Sequence, residues 1–152
     1  MKVKQYSKLI FVDEDDNSRS AMAKIIAQSR LSSGAITVES RGLVVLFPEP
    51  INQKVAAVLI SKGYNVDDHE GKQLVQEDIG EDVLLLTMED NQKEKIWMNY
   101  ENAANVYTLA EFIGGSGDLA PLFGEALPEY GKGYELMDTL IEGVVICLRA
   151  NE

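Results

Sequence analysis

Short apolar runs alternate with amphipathic stretches along the whole chain. Lys8-Leu9-Ile10-Phe11-Val12 is continuous and ends in acids, the pattern of a strand buried on both faces. From Ser18 to Leu31, Met22, Ile25, Ile26 and Leu31 recur at roughly helical spacing, and Asn17 or Ser18 serves as the N-cap. Ile36-Thr37-Val38 and Leu43-Val44-Val45-Leu46 read as one strand interrupted by Ser40-Arg41-Gly42. Pro48 and Pro50 open a second helix through Val55, Val58, Leu59 and Ile60, which Gly63 ends. Asp82 to Met88 is the clearest buried strand, and Glu89 to Met98 follows as a helix with Glu89 and Lys93 in i,i+4 order. Asn105 to Leu109 gives a fourth strand, leading to a short helix around Glu111-Phe112-Ile113. Residues 114–133 hold six of the twelve glycines and two of the four prolines, and read as a long lid-like loop. A closing helix runs from Tyr134, with Met137, Leu140, Ile141, Val144 and Leu148 on one face.

Strands that alternate with helices imply right-handed crossovers and a parallel sheet covered on both sides. The expected fold is α/β: a three-layer sandwich with a four-stranded parallel sheet, in one domain spanning all 152 residues.

Charge sharpens this picture. Fourteen Lys and Arg stand against 25 Asp and Glu, a net charge of −11. Such a balance opposes a nucleic-acid surface or an anionic membrane as partner, because both require a basic face. The single cysteine, Cys147, rules out an intramolecular disulfide and reads as a small buried residue. One His and one Cys leave zinc without a ligand set. With no apolar leader segment after the first lysines, the expected compartment is the cytoplasm.

Ligands of open parallel sheets bind beyond the carboxyl ends of the strands, so Asp13-Glu14-Asp15-Asp16-Asn17-Ser18-Arg19-Ser20 holds the best functional position. Three chemistries use a loop there. A response-regulator receiver domain needs a phosphoacceptor Asp at the end of its third strand, yet no Asp occurs between Ser18 and Val66. A haloacid-dehalogenase loop resembles Asp13-x-Asp15, but Asn17 stands where that family prefers Thr or Val.

The third comparison covers nearly the whole chain. The sequence resembles the low-molecular-weight protein tyrosine phosphatases and their arsenate-reductase relatives, whose first strand leads into a Cys-x5-Arg-Ser loop. Here that frame runs from Asp13 through Arg19-Ser20-Ala21-Met22-Ala23. Ser40-Arg41-Gly42-Leu43 resembles the family's Ser-x-Gly-Leu turn, and His69 to Leu74 its His-x-x-x-Gln-Leu stretch. Gly117-Asp118-Leu119 precedes the lid in the family manner.

The resemblance implies a loop thiolate that attacks phosphotyrosine, N–H groups and an Arg that hold the phosphate, and a lid Asp that protonates the leaving group. Arg19 and Ser20 match that pattern. The nucleophile position holds Asp13, the loop glycine falls at Asp15, and the lid Asp-Pro aligns on Pro121-Leu122. Asp118 is the nearest remaining lid carboxylate, while Phe47 and Phe123 are candidate apolar walls of the pocket. Four consecutive acids repel the substrate that such a loop exists to hold. The expectation is therefore a degenerate member, a binding or regulatory module with no cofactor and an unidentified protein or small-molecule partner, as a monomer or weak homodimer.

Three uses of the acidic loop stay open. A carboxylate of Asp13 or Asp15 fills the vacated anion site and pairs with Arg19. Asp13, Asp15 and Asn17 ligate a divalent cation, which would also suit a metal-dependent phosphoester hydrolase acting through Asp13. Or the loop receives a cationic partner. His69 and the tyrosines (Tyr100, Tyr107, Tyr130 and Tyr134) read as structural, and Trp97 with Met98 as a cover for the sheet edge.

Overall fold

The computed structural model describes residues 5–31, 34–121 and 124–149. Strands β1 (Lys8–Asp13), β2 (Thr37–Gly42), β3 (Val83–Thr87) and β4 (Val106–Thr108) form a parallel sheet in the order β2-β1-β3-β4. β1 lies between two neighbours, with Leu9 opposite Val38 on one side and Leu84 on the other. That position explains its unbroken apolar run, because a strand flanked and covered on both faces has no wet side.

Five helices follow the strands: α1 (Arg19–Arg30), α2 (Gln53–Ser61), α3 (Asp90–Asn99), α4 (Leu109–Phe112) and α5 (Leu127–Arg149). Alternation along β1 assigns its side chains to two cores. Leu9 and Phe11 join Leu84, Leu86 and the apolar faces of α1, α2, α4 and α5 in the larger core. Ile10 and Val12 join Leu85, Val106, Leu74 and Ile96 of α3 in the smaller one. The three-layer α/β sandwich is as expected. Among the described residues no helix is long and apolar enough to cross a membrane.

Several boundaries differ from the sequence reading, each for a physical reason. Leu43 to Leu46 is not a strand. β2 ends at Gly42, and the next amides turn to other acceptors: Leu43 N–H to Asp13 O, Val44 N–H to Glu14 O, and Val45 N–H to Gln73 Oε1. Val44, Leu46 and Phe47 are left 60%, 81% and 74% exposed. α5 starts at Leu127, seven residues before Tyr134, so the lid is shorter than expected. Burying Tyr130 contributes roughly 1.5–3 kcal/mol. Together with the Lys54 ammonium over the Tyr130 ring, that offsets the cost of about 1 kcal/mol for each of Gly131 and Gly133 in a helix.

α2 begins after both prolines, where Asn52 Oδ1 accepts the N–H groups of Lys54 and Val55 at 2.9 and 3.2 Å. Lys93 pairs with Asp90 and Glu111 rather than with Glu89. Cys147 is half-buried, not fully enclosed, and Met98 is exposed rather than covering the sheet. Tyr130 and Tyr134 are buried, and Tyr100 donates its hydroxyl to Leu74 O at 2.7 Å, as packing roles require.

Candidate functional site

The acidic loop leaves the carboxyl end of β1 and returns into α1, at the edge of the sheet where ligands bind in this architecture. Its four carboxylates do not act alike. Asp13 is 1% exposed, and its side chain lies within the loop: Oδ1 accepts Asp16 N–H at 2.7 Å and Oδ2 accepts Ser20 N–H at 2.9 Å. Ser20 lies in the first turn of α1, so Asp13 caps that helix from across the loop. Ser18, at the N-cap position, makes no capping bond with its own side chain. Burial raises the Asp13 carboxyl to about 6; its two N–H donors and Arg19 act to lower it, and Asp15 adds to the rise.

Asp16 is fully buried, with φ +57°, a left-handed conformation that Asp tolerates better than most residues. Oδ1 accepts Ser20 Oγ–H at 2.7 Å, and Oδ2 accepts Lys72 N–H at 3.0 Å. Its carbonyl accepts His69 Nε2–H at 2.7 Å, and Lys24 Nζ faces the opposite ring nitrogen at 2.5 Å. Burial pulls the pKa of both His69 and Lys24 down, which suits a neutral imidazole accepting from lysine. His69 thus supports the loop from behind.

Gly42 explains why the Ser-x-Gly turn has no side chain at that point. A Cβ there would lie 2.9 Å from the Asp15 carbonyl carbon and 3.0 Å from the Asp16 nitrogen. The β2 end and the acidic loop touch backbone to backbone.

Arg19 corrects an expectation. It pairs with neither Asp13 nor Asp15: Nη1 donates to Glu89 Oε2 and to Leu119 O, both at 2.6 Å. Leu119 N–H in turn donates to Met88 O at 2.9 Å, and Asp118 Oδ1 accepts Asp90 N–H at 2.8 Å. The lid stretch at 118–119 is therefore tied to the start of α3, and Asp118, the lid carboxylate nearest to Pro121, caps that helix. Pro121 is exposed, and Phe123 lies outside the described residues.

The outer acids face solvent. Glu14 pairs with Lys95 at 3.3 Å. Asn17 Nδ2 donates to Glu49 Oε2 at 3.2 Å, while its Oδ1 is buried without a hydrogen-bond partner among the described residues. Asp15 lines a depression of about 230 Å³ with Val44, Val45, Leu46, Phe47 and Glu49, so Phe47 does border the loop. Ser18 and Arg19 border a second hollow of about 260 Å³ against Leu119 and Met137. The three residues suggested for a cation are not gathered: Asp13 turns into the loop, Asp15 outward and Asn17 to Glu49. Among the described residues no group of three Asp, Glu, His or Cys is placed to hold a metal ion.

Sequence reasoning missed Glu89 as the partner of Arg19. Its position just past the end of β3, on the ligand-binding edge of the sheet, was the available signal. The Asp16–Ser20 bond was also readable, since i,i+4 residues at a helix start face one another.

Residues 8–143 match the family model described as "Low molecular weight phosphotyrosine protein phosphatase". The low molecular weight protein-tyrosine-phosphatase PtpB of Staphylococcus epidermidis is 30% identical over 137 residues, which cover 90% of this chain and 96% of that protein. The PtpB of Staphylococcus haemolyticus is 28% identical over 135 residues, 88% of this chain and 94% of its own. Among solved structures, the low molecular weight protein tyrosine phosphatase from T. tengcongensis superposes with a TM-score of 0.86 at 27% identity, covering 91% of this chain and 97% of that one. The YwlE arginine phosphatase from Geobacillus stearothermophilus does so at 0.88 and 26% identity, covering 95% and 94%.

Proposed function

The chain belongs to the low molecular weight phosphotyrosine protein phosphatase family, and from that premise we propose that it is a catalytically silent member that works as a binding or regulatory module. The observation that carries this reading is the Asp13 carboxylate, which occupies the N–H groups of Asp16 and Ser20. The family reaction needs those donors, an uncommitted Arg and a soft thiolate to hold and attack a phosphoryl group. In this chain the donors are taken from within, Arg19 is neutralised by Glu89, and the nucleophile position carries a carboxylate among like charges.

Leaving-group chemistry points the same way. Pro121 has no proton to give, and Asp118 is engaged at the start of α3. A carboxylate nucleophile for phosphoryl transfer relies on a metal or cationic surroundings, and neither is supplied by the acids at 13–16. The partner is a protein or a small molecule, and the net charge of −11 disfavours nucleic acid and anionic membrane.

Release of p-nitrophenol from p-nitrophenyl phosphate, with and without magnesium between about pH 5 and pH 8, tests the proposal. The expected rate equals the protein-free blank under every condition. Magnesium-dependent turnover that vanishes in Asp13→Asn would replace this reading with a metal-dependent hydrolase, and metal-independent turnover would restore the family reaction.

A further inference from the structure

The stretch Leu43 to Phe47 is apolar, yet it presents Val44, Leu46 and Phe47 to solvent within four residues. A contiguous exposed apolar patch of this kind marks an interaction surface more often than isolated exposed residues do. The stretch is also held in place. Val44 N–H donates to Glu14 O and Val45 N–H to Gln73 Oε1, and Gln73 Nε2 donates to Leu43 O at 2.7 Å. Pro48 then fixes the exit. The backbone from Leu43 to Val45 is pinned and Pro48 restricts the far end, so less ordering entropy remains to be lost when the stretch is covered.

Charge decides the occupant. The depression of about 230 Å³ beneath this patch is lined by Asp15, Val44, Val45, Leu46, Phe47 and Glu49. It carries two carboxylates and no cation. The Arg19 guanidinium is spent on Glu89, and Lys95 on Glu14. A cation with an apolar stem complements such a wall, and a guanidinium does so best: its planar fork suits a carboxylate, and its face stacks on an aromatic ring.

We propose that this surface docks an arginine-bearing, apolar-flanked segment of a partner protein, with the unmodified guanidinium at Asp15 and Glu49 and its flanking residues on Val44, Leu46 and Phe47. The inference rests on the binding-module reading and names the partner class for it. In the family reaction the loop attracts an anion; here the reversed charge makes the same mouth receptive to a cation.

Fluorescence anisotropy with a labelled hexapeptide that alternates arginine with leucine and phenylalanine tests this. Its counterpart with citrulline keeps the shape and removes the charge. The arginine peptide is expected to bind at least tenfold tighter than the citrulline peptide, with affinity falling as salt rises. Asp15→Asn/Glu49→Gln is expected to weaken it at least tenfold, and Leu46→Ser/Phe47→Ser at least threefold. Glu77→Gln/Glu142→Gln, which removes the same charge away from this surface, is expected to leave it within twofold. Equal binding of the two peptides, or equal loss in both charge variants, overturns the proposal. Turnover of p-nitrophenyl phosphate reports separately on the reading beneath it. A hydrolytic protein that still discriminates arginine loses only the silent-enzyme reading, and a silent protein that does not discriminate loses only this one.

Discussion

Asp13 and Asp16 differ from Glu14 and Asp15 in surroundings far more than in chemistry. The first pair is buried, and each of its four carboxylate oxygens accepts a hydrogen bond from the loop, from Ser20 or from Lys72. The second pair faces outward, Glu14 to Lys95 and Asp15 to an apolar depression. A run of four acids is thus two devices set back to back. The inner pair holds the loop in shape, and the outer pair gives the surface its charge. Local charge density carries no information on this split; the turn of the backbone after Asp13 and the left-handed φ at Asp16 create it.

Removing an inner acid tests the contrast most severely. Asp16→Ala strips partners from Ser20 Oγ and Lys72 N–H and places Ala at a positive φ, so unfolding stability is expected to fall by roughly 2–4 kcal/mol. Urea denaturation reads this directly, and a loss below about 0.5 kcal/mol, the range of ordinary surface changes, would dissolve the distinction between the pairs.

Asp13 gives an effect of similar size that depends on pH. The folded chain holds its proton up to about pH 6, whereas the unfolded chain releases it near 3.8. Between those values the folded state binds more protons. The contribution of this group is therefore fully present at the acid end and is lost as pH rises through 6, by on the order of 3 kcal/mol. Asp13→Asn, which cannot ionise, is expected to remove that slope from a series of denaturation curves between about pH 4 and pH 7; an unchanged slope would show that Asp13 is already ionised throughout.

Substitutions on the outer surface, at Asp15 and at Phe47 beside it, should cost the least. Asp15→Asn and Phe47→Ser are expected to shift unfolding stability by no more than about 0.5 kcal/mol, since Asp15 makes no hydrogen bond or ion pair among the described residues and Phe47 is 74% exposed. A larger change in either would mean that the outer surface also supports the fold.

Much of the architecture was legible because burial writes itself into sequence. β1 and β3 are enclosed on both faces and read as unbroken apolar runs, and α1 shows the spacing of one buried side. The site was legible in place and only partly in geometry. Of the two acids suggested for the loop interior, Asp13 and Asp15, Asp13 is the one whose carboxylate accepts loop N–H groups, where the helix start favours an anion. Its pairing with Arg19 did not follow, because Glu89 competes from 70 residues away and periodicity is blind to such contacts. The run Leu43 to Leu46 misled for a related reason: an apolar stretch left at the surface has the same composition as one enclosed in a core.

Asp13 also has a meaning as a competitor. Its carboxylate reaches the N–H groups of Asp16 and Ser20 from its own backbone, and so behaves toward them as a tethered anion. A free phosphate or phosphoester arriving at the loop contends with a rival whose effective concentration is on the order of millimolar or higher. Dilution cannot remove that rival, and a modest rise in affinity for the incoming group cannot displace it. The loop thus carries a built-in anion at the position where the family resemblance implies a nucleophile.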